Sequence, residues 1–138
     1  MIDFISEKFT EIVSKCLERN AKEQATAKKN MQLVFKLGES GEAEYLIYKD
    51  YKPVKVVTFM EVLGVKLDFK GYSLFVPNFI KGALTRFCEQ HSIERNKVRV
   101  IVSFDEGNKM VMWLYNNTEF VSQVTLDELI DAKDIITE

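Results

Sequence analysis

VRVIVSFDEGNKMVMWLY, residues 98–115, reads as two strands and a turn, and the length of the turn decides which side of a sheet is core. On the first strand Val98, Val100, Val102 and Phe104 alternate with Arg99, Ile101 and Ser103, so one face is apolar without a break. The second strand is apolar on both faces, with Met110, Met112 and Leu114 on one and Val111, Trp113 and Tyr115 on the other. A loop of even length pairs Phe104 with Lys109 and sends the inner face through Trp113. A three-residue loop of Asp105, Glu106 and Gly107, with Gly107 left-handed, pairs Phe104 with Asn108 and sends the inner face through the methionines. We adopt the odd loop, because glycine stands where that turn needs it and the inner face becomes wholly aliphatic. Arg99 then lies across from Trp113 as a cation–π pair. Arg99, Ile101, Val111, Trp113 and Tyr115 form an outward patch of residue types found at binding hot spots, unless a helix of the same chain, such as the N-terminal one, covers it.

Outward from this hairpin, the pattern changes period several times. Residues 2–18 place Ile2, Ile5, Phe9, Ile12, Val13 and Cys16 at spacings of three and four, the stripe of an amphipathic helix. Residues 21–30 have helix formers but no stripe and read as a solvated extension or a connector. MQLVFKL and EAEYLIYKDY alternate on either side of GESG, which makes a second hairpin. Pro53 ends or edges its second strand. Residues 54–63 fit a strand through Phe59 or a short helix ending at Gly64, and the strand is preferred. Residues 65–76 read as a further hairpin about Lys70-Gly71. Pro77 and Asn78 then open a helix of about residues 78–92 with a broad apolar stripe. After Tyr115, NNTEFVSQV reads as a loop with one more short strand, and Thr125 with Glu128 makes a capping box for a short last helix. No internal repeat is evident. The expected fold is α+β: a mostly antiparallel sheet of five to seven strands built from hairpins, with an N-terminal, a central and a short C-terminal helix packed mainly on one face.

The 138 residues make one globular domain, with 133–138 as a frayed tail. No apolar run approaches the roughly 18 residues of a membrane span, and the N-terminus lacks the pattern of a secretory signal. With Cys16 and Cys88 in no framework spacing, reduced thiols and a cytoplasmic location are expected. Charge is uneven. Residues 45–100 carry 10 basic and 5 acidic side chains, and residues 101–138 carry 2 and 8, a basic middle before an acidic tail. The two could steer a charged partner, or face each other and neutralise.

Candidate chemistry stays incomplete. Cys88 and His91 are three apart on a helix, the start of a nucleophile pair or half of a zinc site, yet no orienting acid and no full ligand set accompany them. GESG lacks the helices and basic residues of a phosphate-clamping loop, and no nucleotide-binding glycine motif is present. Asp127, Asp131 and Asp134 read as a solvated helix face. No metal or cofactor is expected. Lys49, Lys52, Lys55, Lys66 and Lys70 with Tyr45, Tyr48, Tyr51 and Tyr72 resemble in composition a single-strand nucleic-acid surface, a minor reading in a net-acidic chain. The expected function is a non-catalytic protein-interaction or regulatory module, acting through an exposed sheet face or as a homodimer. The alternative is a carrier of a small apolar ligand in a cavity lined by Phe35, Phe69, Phe79 and Phe87.

Overall fold

The computed structural model describes residues 2–64 and 70–130, with side chains described over 7–64 and 80–130. Its elements in chain order are α1 (Ile2–Glu23), β1 (Met31–Leu37), β2 (Ala43–Lys49), β3 (Lys52–Val57), α2 (Phe59–Leu63), α3 (Lys70–His91), β4 (Val98–Phe104), β5 (Met110–Asn116), β6 (Glu119–Val124) and α4 (Leu126–Leu129). The six strands form one antiparallel sheet in the order β3-β2-β1-β4-β5-β6. This is the α+β architecture expected from the hairpin pattern. Alternation puts Leu33, Phe35, Ile47, Val100, Val102 and Leu114 on one face, where they join Phe9, Val13 and Leu17 of α1 and Ile80, Leu84 and Phe87 of α3 in a single core. Both long helices therefore lie on the same side of the sheet. Each fully buried Leu or Phe contributes about 1.5–3 kcal/mol by leaving water.

Several expectations need correction. The segment 54–63 divides: β3 runs to Val57, and Thr58 then caps α2 with a hydroxyl that accepts from the Glu61 N–H, while Glu61 reaches back to the Thr58 N–H. The expected hairpin over 65–76 does not form, since residues 70–76 belong to α3, which runs through Pro77; residues 65–69 lie outside those described. Tyr72, Val76, Ile80, Leu84 and Phe87 recur at helical spacing as well as Tyr72, Leu74 and Val76 do at strand spacing, so the longer periodicity prevails. Pro53 lies within the edge strand β3, where its missing N–H costs no ladder bond. The stretch after Tyr115 is a full strand, β6, rather than mostly loop.

An internal repeat, absent from the sequence reading, is plain in the structure. Shifting residues 31–63 by the 67 positions that separate Thr58 from Thr125 maps them onto 98–130 without a gap. Every ladder then reproduces its counterpart. Met31↔Lys49 becomes Val98↔Asn116, Leu46↔Val56 becomes Trp113↔Gln123, and the bulge between Ile47 and Tyr48 becomes that between Leu114 and Tyr115. Left-handed residues coincide too: Ala25 with Ser92, Gly41 with Asn108, Asp50 with Asn117. Arg19 donates to the Glu61 carbonyl and Arg86 to the Glu128 carbonyl, each tying a long helix to a short capped one. Only the Val34↔Ile101 pair maps onto itself, so a pseudo-two-fold axis passes through the β1–β4 seam at that pair.

Helix α1 closes in a Schellman arrangement, with Thr26 N–H on the Ala21 carbonyl and Ala25 N–H on the Lys22 carbonyl. This leaves Ala25 at φ 51°, where a Cβ is costly. Ala25→Gly is expected to raise stability by about 0.5–1 kcal/mol, a Tm increase of roughly 2–5 °C after the loss of chain entropy is counted. A thermal melt with no increase would show that Ala25 is not left-handed.

Candidate functional site

The hairpin 98–115 keeps its odd loop, but its register lies two residues from the one expected. Phe104 pairs with Met110, and the Asp105 N–H donates to the Lys109 carbonyl, so the loop proper is Glu106, Gly107 and Asn108. Asn108, at φ 62°, takes the left-handed position in place of Gly107. The Asp105 side chain explains the choice: one carboxylate oxygen accepts both the Gly107 and the Lys109 N–H at 2.9 Å, and asparagine tolerates the left-handed region better than most residues. Lys28 then holds the turn to the helical layer, its Nζ donating to Asn108 Oδ1 at 2.7 Å and lying 4.1 Å from the Phe104 ring centre.

A two-residue slip preserves parity, so each side chain keeps its expected face. Met112 and Leu114 are core, and Trp113 points to the side away from α1 and α3. Its partner changes. Ile101, not Arg99, lies opposite Trp113, while Arg99 faces Tyr115 and donates from Nη1 to the carbonyls of Asn96 and Val98. The expected Arg99–Trp113 pair is therefore replaced by an aliphatic–aromatic one. Of the expected patch, Val111, Trp113, Tyr115 and Arg99 are half-buried, and Ile101, 7% exposed, forms the floor. The N-terminal helix does not cover the patch, since its core residues pack on the other face.

The sequence reading missed two members of this surface. Tyr51, in the turn between β2 and β3, swings over the sheet: its N–H donates to Gln32 Oε1 at 2.8 Å and its ring stands 6.1 Å from that of Trp113. Phe120 of β6 packs edge-on to Tyr115 at 5.8 Å. Tyr51, Trp113, Tyr115 and Phe120 enclose a shallow cavity of about 220 Å³. Burial, partly offset by a hydrogen bond with Ser103, raises the Tyr51 phenol above its ordinary pKa. Tyr51 at φ 64° is a bulky residue in the left-handed region, and no pattern of spacing announces that.

One row crosses the whole face. Val56, Leu46, Val34, Ile101, Trp113 and Gln123 are successive cross-strand neighbours from β3 to β6. All six are uncharged. Val56, at one end, is 71% exposed, and Phe120, near the other, 56%. Between these ends Val34 is 0% and Ile101 7% exposed, so the middle of the row is already buried within the chain and only its ends are open.

Elsewhere the arrangements are poorer. Cys88 is pushed above its ordinary pKa by burial, the direction opposite to an activated nucleophile. The space beneath Phe35, bounded by Phe9, Leu33, Tyr45 and Ile80, holds about 10 Å³, room for one water at most and none for an apolar ligand. Of the other residues proposed to line a ligand cavity, Phe87 is core and the side chains of Phe69 and Phe79 lie outside those described. A polar cleft of about 770 Å³ beside the β1–β2 turn mixes Lys36 and Arg95 with Glu39 and Glu44, and Lys36 already pairs with Glu44 at 3.8 Å. The lysine–tyrosine set is dispersed: Tyr45 is in the core, Lys55 pairs with Glu23 at 3.0 Å, and Lys66 lies outside the described residues. Asp131 and Asp134 also lie outside them. Lys52 on β3 and Glu119 on β6 stand at opposite edges of the sheet. No helix among the described residues is long and apolar enough to cross a membrane. Comparison of the chain with protein-family models, with curated proteins and with solved structures finds no match.

Proposed function

We propose that the protein is a non-catalytic interaction module whose working surface is the sheet face turned away from α1 and α3. The observation that supports this reading is the uncharged row from Val56 to Gln123 with the aromatic quartet beside it. Aromatic residues around a shallow recess are the side chains that dominate binding energy at interfaces, because they bury large areas for few frozen torsions. The open ends of that row, Val56 at 71% exposed and Phe120 at 56%, retain apolar surface for a protein partner to bury.

Hydroxyl-radical footprinting tests the reading. Trp113, Tyr115 and Phe120 are expected to oxidise readily in dilute purified protein and to be protected several-fold when the same protein is labelled in a concentrated extract of the cells that make it. Protection confined to the polar cleft at Glu39 and Arg95, with the quartet still labelled, would refute the proposal.

A further inference from the structure

We infer that the free edge of β6 is a second binding site, and that its occupant is an extended segment of another protein, apolar along its length with lysine or arginine at its ends, added to the sheet as a seventh strand. The site is the rim of the sheet and is independent of the aromatic face. The two rims are counterparts. β3 and β6 end the sheet on opposite sides with one register to their inner neighbours, Tyr48↔Pro53 matching Tyr115↔Phe120 and Leu46↔Val56 matching Trp113↔Gln123. An edge strand offers unpaired N–H and C=O groups to any passing strand, and lysine and proline are the usual guards against this. β3 carries both, with Lys52, Pro53 and Lys55 among its six residues. At the same places β6 has Glu119, Phe120 and Ser122, so neither guard remains. β3 holds its register with no donor at position 53, so β6 needs none at position 120, and the Phe120 N–H is available to an added strand.

Charge selects the occupant. Residues 49–63 carry Lys49, Lys52 and Lys55 against Asp50 and Glu61, whereas their counterparts, residues 116–130, carry Glu119, Asp127 and Glu128 and no basic side chain. Glu119 at the start of β6 and Asp127 just beyond its end are exposed, and neither is in an ion pair among the described residues. They bracket a strand of roughly 20 Å, so an added strand of that length with a cation at each end meets a carboxylate at each end. Between them Phe120 is 56% exposed beside Tyr115, and Val121 is half-buried against the core on the opposite side of the sheet. Alternate apolar side chains of an incoming strand thus find an apolar neighbour on either face, while its backbone supplies the hydrogen bonds. A second copy fits less well. Antiparallel pairing of β6 with β6 sets Glu119 of one chain toward Asp127 of the other, and β3 of a second copy, although basic, brings Pro53, which has no N–H to donate.

The probe is a fluorescent synthetic peptide of six alternating valines and threonines with two lysines at each end. Titrated with the full chain, it is expected to bind, and to bind at least about tenfold more weakly when glutamates replace its lysines or when alternate backbone nitrogens are methylated. Amide hydrogen exchange is expected to slow on β6 and not on β3. Phe120→Pro gives β6 the proline of its counterpart, so it is expected to keep the fold and to weaken binding at least about tenfold. Phe120→Leu keeps the N–H and is expected to stay within about threefold of wild type, which separates edge pairing from use of the ring. Ser122→Lys restores the counterpart of Lys55, is expected to weaken binding at least about threefold, and serves should the proline variant not fold. No binding at millimolar probe, slowing on β3 equal to that on β6, or wild-type affinity in Phe120→Pro or Ser122→Lys overturns the inference. A wild type that sediments as two chains without the probe, and as one in Phe120→Pro, gives the edge to a second copy and likewise overturns it.

Discussion

Phe35→Ala is expected to lower the free energy of unfolding by about 3–5 kcal/mol, the usual cost of emptying a phenylalanine site in a core that cannot collapse around it. Phe35 is 1% exposed on central strand β1, opposite Tyr45 on one side and Val100 on the other. Its ring is 6.0 Å from Phe9 of α1 and meets Tyr45 edge-on at 5.8 Å, so one side chain joins the helical layer to the sheet. The rigid neighbours on both sides are why little relaxation is expected. Against a total stability of about 5–15 kcal/mol for a domain of this kind, the loss is large enough to populate the unfolded state at ordinary temperature. Phe35→Leu, which retains most of the volume, is expected to cost less than about 1.5 kcal/mol. Urea denaturation measures both, and a Phe35→Ala midpoint close to wild type would place Phe35 outside the core.

Raising the pH from 8 to above 11 is expected to remove about 2–3 kcal/mol of stability through one thiol. Burial pushes Cys16 from an ordinary value near 9 up to about 11, with nearby Arg19 and Lys55 only partly opposing it. Because the folded value is the higher one, the unfolded thiol ionises first. The contribution is complete below pH 9 and lost as pH climbs through 11, two units at about 1.36 kcal/mol each. Tyr45, whose phenol is raised by burial and by Glu42, adds to the loss at still higher pH. Cys16→Ala is expected to flatten the 9–11 segment of the stability curve while lowering its plateau through the small cavity it leaves. Native Cys16 should also resist alkylation at pH 8. Rapid labelling there, or a wild-type curve that is flat to pH 11, would contradict the burial of Cys16.

The sheet was legible wherever alternation met a turn with few conformational options. GESG, with Gly41 at φ 86°, fixes the first hairpin, and parity alone placed Trp113 on the right face although the left-handed residue is Asn108 rather than Gly107. The N-terminal half of α3 was not legible, because residues 72–76 satisfy both periods and only packing decides between them. The repeat was hidden for a different reason. It is kept in backbone conformation more than in residue type: alanine and serine share one left-handed site, glycine and asparagine another, aspartate and asparagine a third. Thr125 and Glu128 announce a capping box before a clearly helical run, whereas the identical Thr58 and Glu61 follow Val54, Val56 and Val57 and are masked by strand residues. Tyr51 reaches the site through tertiary placement, to which local spacing is blind.

The seam at Val34 and Ile101 also orders the way the sheet comes together. Five ladders hold six strands, and four of them join neighbours in the chain across tight turns; β1–β4 alone must bring together residues more than sixty positions apart. Among the strand pairings, loop-closure entropy therefore falls mainly on that ladder. Each three-stranded meander can zip from its own turns, in parallel and by the same route as its twin. The two halves are coupled through the four pairs of the β1–β4 seam and through the one core that α1 and α3 share over it.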